Sequence, residues 1–311
     1  MLFQKLNIKE PLELTIIIIN YNVCNEVDNC LESIYKLLKN IDFEVIVVDN
    51  NSPNRDILAL ESKYPQVNFE FLNENLGFGK ANNYGINISK GKYILFLNPD
   101  TVIVQDFVSP IVDFIKNNKS AGACGPMLVY EDLNFQNSFG NRMGLLYETA
   151  EAFMFISAYR KLFRLLRKKD ILAGNVIEVG WLSGACILIK TDLVKKVNGF
   201  DADYFLNYED IDLCRKVEEL GYNNYYFPAY KCIHLDHSSQ NKNYENLVLT
   251  RYESRLVYSS KHYGIFSRSF VFCVHVIGIL FRILTISFFF KGSEKSQRRR
   301  GYIQALKLYL T

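Results

Sequence analysis

The 311-residue sequence has no CxxC pair, no GxGxxG and no GxxxxGK, and each absence removes a class of function. Its seven cysteines (24, 30, 124, 186, 214, 232 and 273) are scattered and odd in number, so neither a disulfide framework nor a structural zinc site is indicated, and a reducing cytosol is the expected setting. Asn20-Tyr21-Asn22 follows the first strand-like run where a dinucleotide fold would place glycines. Gly85 and Gly91-Lys92 miss phosphate-loop spacing by one residue, and they precede a strand instead of following one. With 36 Lys+Arg against 33 Asp+Glu, the net charge of +3 is too small for a general nucleic-acid binder. The N-terminus, MLFQKLNIKEPLEL, contains acidic residues and lacks the apolar run of a signal peptide, so the catalytic part is expected inside the cell.

What the chain does have is apolar and aromatic: 49% hydrophobic residues, with 23 Phe and 20 Tyr but one Trp, as a folded protein of one large or two small domains would show. Residues Thr15 to Ile19, Phe43 to Val48, Val67 to Leu72 and Tyr93 to Leu97 are strand-like, and amphipathic or polar stretches separate them. Such alternation predicts right-handed βαβ units and a parallel sheet covered on both faces. Each run ends in a polar cluster: Asn20-Tyr21-Asn22, Asp49-Asn50-Asn51-Ser52, Asn73-Glu74-Asn75 and Asn98-Pro99-Asp100. Ligands of open α/β sheets bind beyond the carboxyl ends of the strands, so a site is expected there.

The second half is mixed. A strand-like AGACGPMLVY precedes a polar hairpin region reaching about Gly140, a basic amphipathic helix over Tyr159 to Asp170, and a strand after Ser183-Gly184. A helix opens at Tyr208-Glu209-Asp210, and short strands are predicted near Tyr225 and Ile233. Residues 269–290, SFVFCVHVIGILFRILTISFFF, match the ~20 residues of a bilayer span. Arg282 near the centre of a lone span would cost about 3 kcal/mol. Arg268, His275 and Arg282 recur every seven residues with Gly278 and Thr285 on the same side, giving one narrow polar stripe. That stripe suits a helix lying in the membrane interface, or one packed on the catalytic domain with its apolar face toward lipid. Lys291, Lys295 and Arg298-Arg299-Arg300 follow as an anionic-lipid contact would; an ordinary buried helix pair is the alternative.

Asp100 ends the apolar strand LFLNPD, and Asp and Asn oxygens are hard donors suited to Mg²⁺ or Mn²⁺. With its companions this motif resembles one family, the inverting GT-A glycosyltransferases of family 2, in particular their bacterial rhamnosyltransferase-like branch. IIIINYN, VIVVDNNS, NENLGFGKANNYGI and YILFLNPDT resemble that family's successive nucleotide-sugar motifs, and WLSGACILIKTDLV, NGFDADYFLNYEDIDLCRKVEELGY and IHLDHSS its later ones. The likeness runs in order from about residue 14 to 263.

The resemblance implies an α/β GT-A fold, with a catalytic domain over 1–240 (donor half about 12–120, acceptor half about 121–240) and a helical, membrane-associated extension over 241–311. It implies that Asp49 binds the nucleoside with Asn20 and Asn22 nearby, and that Gly77, Lys80 and Asn83 hold the donor diphosphate. Asp100 stands at the DxD position, where it would coordinate a divalent cation, Mg²⁺ or Mn²⁺, with His234 as the further protein ligand. Asn98 replaces the first Asp of that motif and has sugar or ribose as an alternative partner. His237 is a rival ligand, and a Cys232/His234/His237 zinc trio has no visible fourth member. Asp210 is assigned as the base that takes the acceptor hydroxyl's proton, with Glu209 as the alternative base or an acceptor ligand and Asp212 as a helix cap. Trp181, Ser183 and Gly184 are expected to line the sugar pocket, and Arg255 to reach the donor phosphates or form a surface ion pair.

The expected partners are a nucleoside-diphosphate sugar (dTDP-rhamnose first, UDP-hexoses next), a saccharide or lipid-linked saccharide acceptor, and the inner face of the cell membrane, with no nucleic acid. Two other readings fit less of the motif set: a non-catalytic sugar-nucleotide-binding scaffold, and a nucleotidyltransferase releasing pyrophosphate.

Overall fold

The computed structural model describes residues 12–54, 56–204, 207–236 and 243–310. The four apolar runs of the first half form β1 (Leu14–Asn20), β2 (Phe43–Asp49), β3 (Asn68–Phe71) and β4 (Tyr93–Leu97), connected through α1 (Cys24–Leu37), α2 (Leu58–Lys63) and α3 (Gly77–Ile88). They lie parallel in the order β3-β2-β1-β4. Every residue of β1 is buried, as a strand covered on both faces requires. Alternate side chains divide between two cores. Leu14, Ile16 and Ile18 pack with Val27, Leu31 and Ile34 of α1, while Ile17 and Ile19 pack with Ala81 and Ile86 of α3. α3 comes this close because Gly85 faces β1: a Cβ there would stand 2.7 Å from Ile17 Cγ2.

The chain continues through β5 (Thr101–Ile103), α4 (Val108–Asn117), β6 (Ala121–Val129), β7 (Phe139–Gly140), α5 (Leu145–Ala152), α6 (Ile156–Leu166) and α7 (Lys168–Ala173). Then come β8 (Ile177–Val179), β9 (Trp181–Leu182), β10 (Cys186–Lys190), α8 (Thr191–Lys196), α9 (Glu209–Glu219) and β11 (Asn223–His234). β10 joins the sheet antiparallel to both β4 and β6, and β11 runs parallel to β6 and antiparallel to β5, so the sheet is mixed beyond β4. The two short strands expected near Tyr225 and Ile233 are one 12-residue strand. Its register slips between Phe227 and Lys231, where Pro228 has no N–H for the ladder.

Three helices close the chain: α10 (Tyr244–His262), α11 (Ile265–Phe289) and α12 (Gly292–Leu310). They enclose Val248, Tyr252, Ile279, Ile286, Tyr302 and Tyr309. The heptad stripe on α11 faces protein over most of its length. His275 Nε2 lies 2.8 Å from Glu148 Oε2, Arg282 Nε donates to the Ala152 carbonyl at 3.2 Å, and a Cβ on Gly278 would come 2.7 Å from that same oxygen. Of the geometries open to the sequence, packing against the catalytic part through the polar stripe is the one observed. The opposite face is open, with Phe266, Leu284 and Phe288 each more than three-quarters exposed.

Replacing Gly85 with Val is expected to destabilise the fold by about 1–3 kcal/mol through overpacking against Ile17. The denaturant midpoint measures this, and an unchanged midpoint would contradict the close seating of α3 on β1.

Candidate functional site

At the carboxyl edge of β1 and β2 the polar clusters bond to one another. Asp49 is buried, and its Oδ1 accepts from Asn20 Nδ2 (2.6 Å) and Ser52 Oγ (2.6 Å) while Oδ2 accepts from the Ser52 amide (3.0 Å). A polar cavity of about 230 Å³ opens beside this network, lined by Asn20, Asn22, Cys24, Asn25, Asn54 and Asp56 among others. The residue type at position 49 therefore matters first for organising the wall. Ser52, which ties Asp49 to the Asn22 amide (2.9 Å), had no special mark in the sequence beyond its place in VVDNNS.

The loop before α3 is held by asparagines. Asn50 Oδ1 accepts from the Leu76 amide (2.8 Å) and Asn75 Oδ1 from the Gly77 amide (2.9 Å). Gly77 has φ +78°, the left-handed region that glycine enters without Cβ strain. Lys80 is exposed on the first turn. Asn83, expected at the donor, brackets the Phe200 backbone, donating to its carbonyl (2.7 Å) and accepting from its amide (2.8 Å). Both ends of that amide are thus used inside the protein.

The end of β4 meets the end of β11. His234 Nε2 lies 3.2 Å from Asp100 Oδ1 and 3.4 Å from Asn98 Nδ2, and His234 Nδ1 lies 2.8 Å from Gln136 Oε1. An amide oxygen only accepts, so Gln136 fixes the proton on Nδ1 and aims the Nε2 lone pair at Asp100. Asn98 Oδ1 is buried without a hydrogen-bond partner among the described residues. Two facing lone-pair donors beside an unspent buried carbonyl oxygen form a set that a hard divalent cation satisfies, and an imidazole held through its other nitrogen is the usual supporting arrangement. Among the described residues no three His, Cys, Asp or Glu side chains gather into a metal-binding group. Cys232 lies in the hydrophobic core, away from any zinc role, and His237 falls outside the described residues. Gln136 escaped the sequence reading because an isolated glutamine in a polar loop carries no local signal.

One turn joins this cluster to the acidic pair. The Ala185 carbonyl accepts from the Asn98 amide (2.9 Å), and the preceding amide, of Gly184, donates to Asp210 Oδ2 (2.8 Å). Asp210 Oδ1 accepts from the Ile211 amide (2.8 Å). A Cβ at position 184 would press to 3.2 Å from Asp210 Cβ, which is why the smallest residue stands there. Burial raises the Asp210 carboxyl above its ordinary range; burial and the Asp210 charge together raise Glu209 to about 8. Glu209 Oε2 has no hydrogen-bond partner among the described residues. The pair follows two left-handed residues, Asn207 (φ +68°) and Tyr208 (φ +73°), a conformation costing about 1–3 kcal/mol for a bulky side chain. The Tyr208 ring is locked among Met143, Tyr147, Tyr204 and Tyr258, which holds the strain. Asp212 is buried and engaged by His262 (2.7 Å) and Lys216 (3.2 Å), so it braces α9 and α10.

Glu209 and Asp210 open onto a cavity of about 460 Å³ that is also lined by Arg160, Arg251, Arg255 and Arg282. Arg255 is buried, with Nε 3.1 Å from Glu148 Oε2 and Nη2 3.8 Å from Glu151 Oε1. The surface ion pair expected for Arg255 is therefore a buried one, on the side of the acidic pair. Trp181 is also placed differently from the expectation: it is 6% exposed and packs in the core, where Gly140 leaves room for its indole (a Cβ would be 2.5 Å from Nε1). Ser183 anchors the turn through its amide, which donates to the Ser138 carbonyl (2.8 Å).

The mixed sheet with its flanking helices is shared with solved glycosyltransferases of the GT-A fold. A mannosyltransferase from Pyrobaculum calidifontis, solved with GDP-Man and Mn²⁺, superposes with a TM-score of 0.60 at 14% identity, over 96% of this chain and 87% of its own. GalNAc-T7, solved with UDP, GalNAc and Mn²⁺, gives 0.57 at 13% identity over 80% of this chain and 51% of its own. In sequence, the family model described as Glycosyl transferase family 2 matches residues 15–193. The chain belongs to that family, and it is an inverting glycosyltransferase that draws on a nucleotide sugar. It is 27% identical over 217 residues to the rhamnosyltransferase WbbL of Escherichia coli K12, covering 66% of this chain and 79% of that one. It is 24% identical over 233 residues to the N-acetylglucosaminyl-diphospho-decaprenol L-rhamnosyltransferase of Mycobacterium tuberculosis H37Rv, covering 71% and 76%.

Exchanging Gln136 for Leu removes the group that orients His234 and is expected to weaken activation by Mn²⁺ about 10- to 100-fold. A titration of activity against Mn²⁺ concentration measures it, and an unchanged half-maximal concentration would contradict the orienting role.

Proposed function

We propose that this enzyme moves rhamnose or a hexose from a nucleoside-diphosphate sugar to a hydroxyl of a lipid-linked saccharide, by single displacement at the cytoplasmic membrane face. The names of the relatives support the sugar and the acceptor: both are rhamnosyltransferases, and the mycobacterial one is named for a diphospho-decaprenol acceptor. The observation that carries the mechanism is the shared turn, in which Gly184 holds Asp210 and Ala185 holds Asn98.

In this reading Asn20, Asn22 and the wall built on Asp49 receive the nucleoside, and the α3 N-terminus with Gly77 and Lys80 receives the diphosphate. Asn83 supports that loop from behind through Phe200. Asp100 and His234 are the protein ligands of a divalent cation, which when bound neutralises charge on the departing nucleoside diphosphate. Asn98 presents its unspent carbonyl oxygen to the same place. Ser183 and Gly184 border the transferred sugar, and Trp181 stiffens that border from the core. Asp210 takes the acceptor's proton as its oxygen attacks the anomeric carbon, and Glu209, on the same cavity, binds the acceptor. Residues 12–120 form the donor half, 121–240 the acceptor half, and 241–311 a helical extension that completes the acceptor cavity.

A membrane-facing surface follows from the helices beside α5. α6 and α7 expose Leu165, Leu166 and Leu172 among Lys161, Arg164, Arg167, Lys168 and Lys169. α11 is long and apolar enough to cross a bilayer by length and composition, but its His275 and Arg282 are committed to α5, so we read it as lying on the membrane with its open face in lipid.

Asp210→Asn is expected to cut transfer about 10²–10⁴-fold while donor binding persists. Glu209→Gln should keep measurable transfer. The base works ionised and burial raises Asp210, so wild-type kcat/KM should rise with pH above the ordinary carboxylate range, and a pH–rate profile that is flat there would contradict the buried base. Full turnover in Asp210→Asn would overturn the base assignment. The full-length protein should also sediment with vesicles containing anionic lipid, and Leu165→Glu/Leu284→Glu should release it; equal sedimentation of both would contradict the membrane surface.

A further inference from the structure

The acidic pair faces a cavity with more positive charge than its own ion pairs consume. Burial raises the Glu151 carboxyl, and the guanidiniums of Arg255, Arg251, Arg282 and Arg160 together override it, leaving Glu151 below the usual carboxylate range. Glu148 is the second carboxylate in this group, paired with Arg255 and His275. Burial and the neighbouring Arg255 push the His275 imidazole down to about 4, so it is neutral at physiological pH. Glu209, raised to about 8, is neutral at physiological pH, so four guanidinium charges meet three carboxylates, Glu148, Glu151 and Asp210. The surplus lies with Arg251, which is exposed, and Arg160, whose Nη2 donates to Tyr147 Oη (2.9 Å) and whose buried Nε has no hydrogen-bond partner among the described residues. Asn207 Nδ2, on the same wall, is also buried without one. Unspent donors around a cavity of net positive charge call for an anion with several oxygens.

From this charge surplus, and resting on the acceptor reading above, we infer that the cavity between α5, α6, residues 207–211 and α10 binds the diphosphate of a lipid-diphosphate-linked saccharide, with Arg160 and Arg251 as its direct ligands. Arg255 and Arg282 are the buried counter-charges that keep Glu151 from capturing those two. The volume of about 460 Å³ suits a sugar with its diphosphate. Glu209 and Asp210 at one end meet the sugar hydroxyl. Leu162 and Leu165, each more than half exposed on the helix that carries Arg160, offer apolar surface to the lipid tail.

The test uses the full-length protein in detergent, with geranyl diphosphate as probe and geraniol as its uncharged control. Wild type should bind geranyl diphosphate and not geraniol, and Arg160→Gln/Arg251→Gln should weaken that binding at least tenfold while Lys80→Ala leaves it unchanged. In transfer assays the double variant should raise KM at least tenfold for a polyprenyl-diphosphate saccharide, leave the donor KM unchanged, and use an alkyl glycoside of the same sugar as well as wild type does. Binding lost in Lys80→Ala instead, equal binding by wild type and the double variant, or an equal loss with the alkyl glycoside would each overturn the assignment. Arginine-dependent binding of the probe without transfer to any lipid-linked saccharide would support the diphosphate site and overturn the acceptor reading alone.

Discussion

The backbone turn at Ser183–Ala185 is the constraint on which the rest of the site depends. It joins β9 to β10 and lies between Asn98, just after β4, and Asp210, in the first turn of α9. Within two successive residues it ties the acidic pair to the end of β4, Gly184 donating to Asp210 and Ala185 accepting from Asn98. Hydrogen bonds to a charged group contribute about 1.5–3 kcal/mol, enough to fix a half-buried carboxylate in one orientation. The left-handed backbone at Asn207 and Tyr208 places Glu209 and Asp210 at the first turn of α9, and the tyrosine cluster beneath offsets the strain. Displacing this turn would shift Asp210 relative to Asn98 without touching either side chain.

The helices after residue 243 belong to this arrangement energetically. Arg255 of α10 and His275 of α11 meet Glu148 of α5, and His262 of α10 meets Asp212 of α9. Removing one member of such a buried set leaves its partner unpaired, typically a loss of about 3–5 kcal/mol, so the C-terminal helices stand or fall with α5 and α9. The same contacts explain why an apolar helix carries a histidine and an arginine seven residues apart: these polar side chains point at protein, while Phe266, Leu284 and Phe288 point away from it.

Much of the fold was legible because local pattern and final environment agree. The largely apolar β1 and β2 read as strands covered on both faces, and the polar clusters at their ends mark the edge where the smaller cavity opens. The ordered motifs also placed Asp100, His234, Glu209 and Asp210 correctly relative to their elements. The misses are contacts of long sequence separation. Gln136 reaches His234 across 98 positions and Asn83 reaches Phe200 across 117, which no window along the chain reveals. Trp181 reads as a sugar platform by type, yet whether an indole faces a cavity or the core depends on Gly140 in another strand. The Glu148/Glu151 and Arg251/Arg255 pairs do carry a signal, acids three apart and bases four apart on helices, but only packing shows that they meet.

The central claim is that Asp100 with His234 and Asp210 act on opposite sides of one anomeric carbon. The most direct measurement is a structure of the enzyme with Mn²⁺ and a non-hydrolysable nucleoside-diphosphate sugar. The cation is expected on Asp100 and His234, and the Asp210 carboxylate on the face of the anomeric carbon opposite the leaving group. A cation held by other residues, or an anomeric carbon turned away from Asp210, would contradict it.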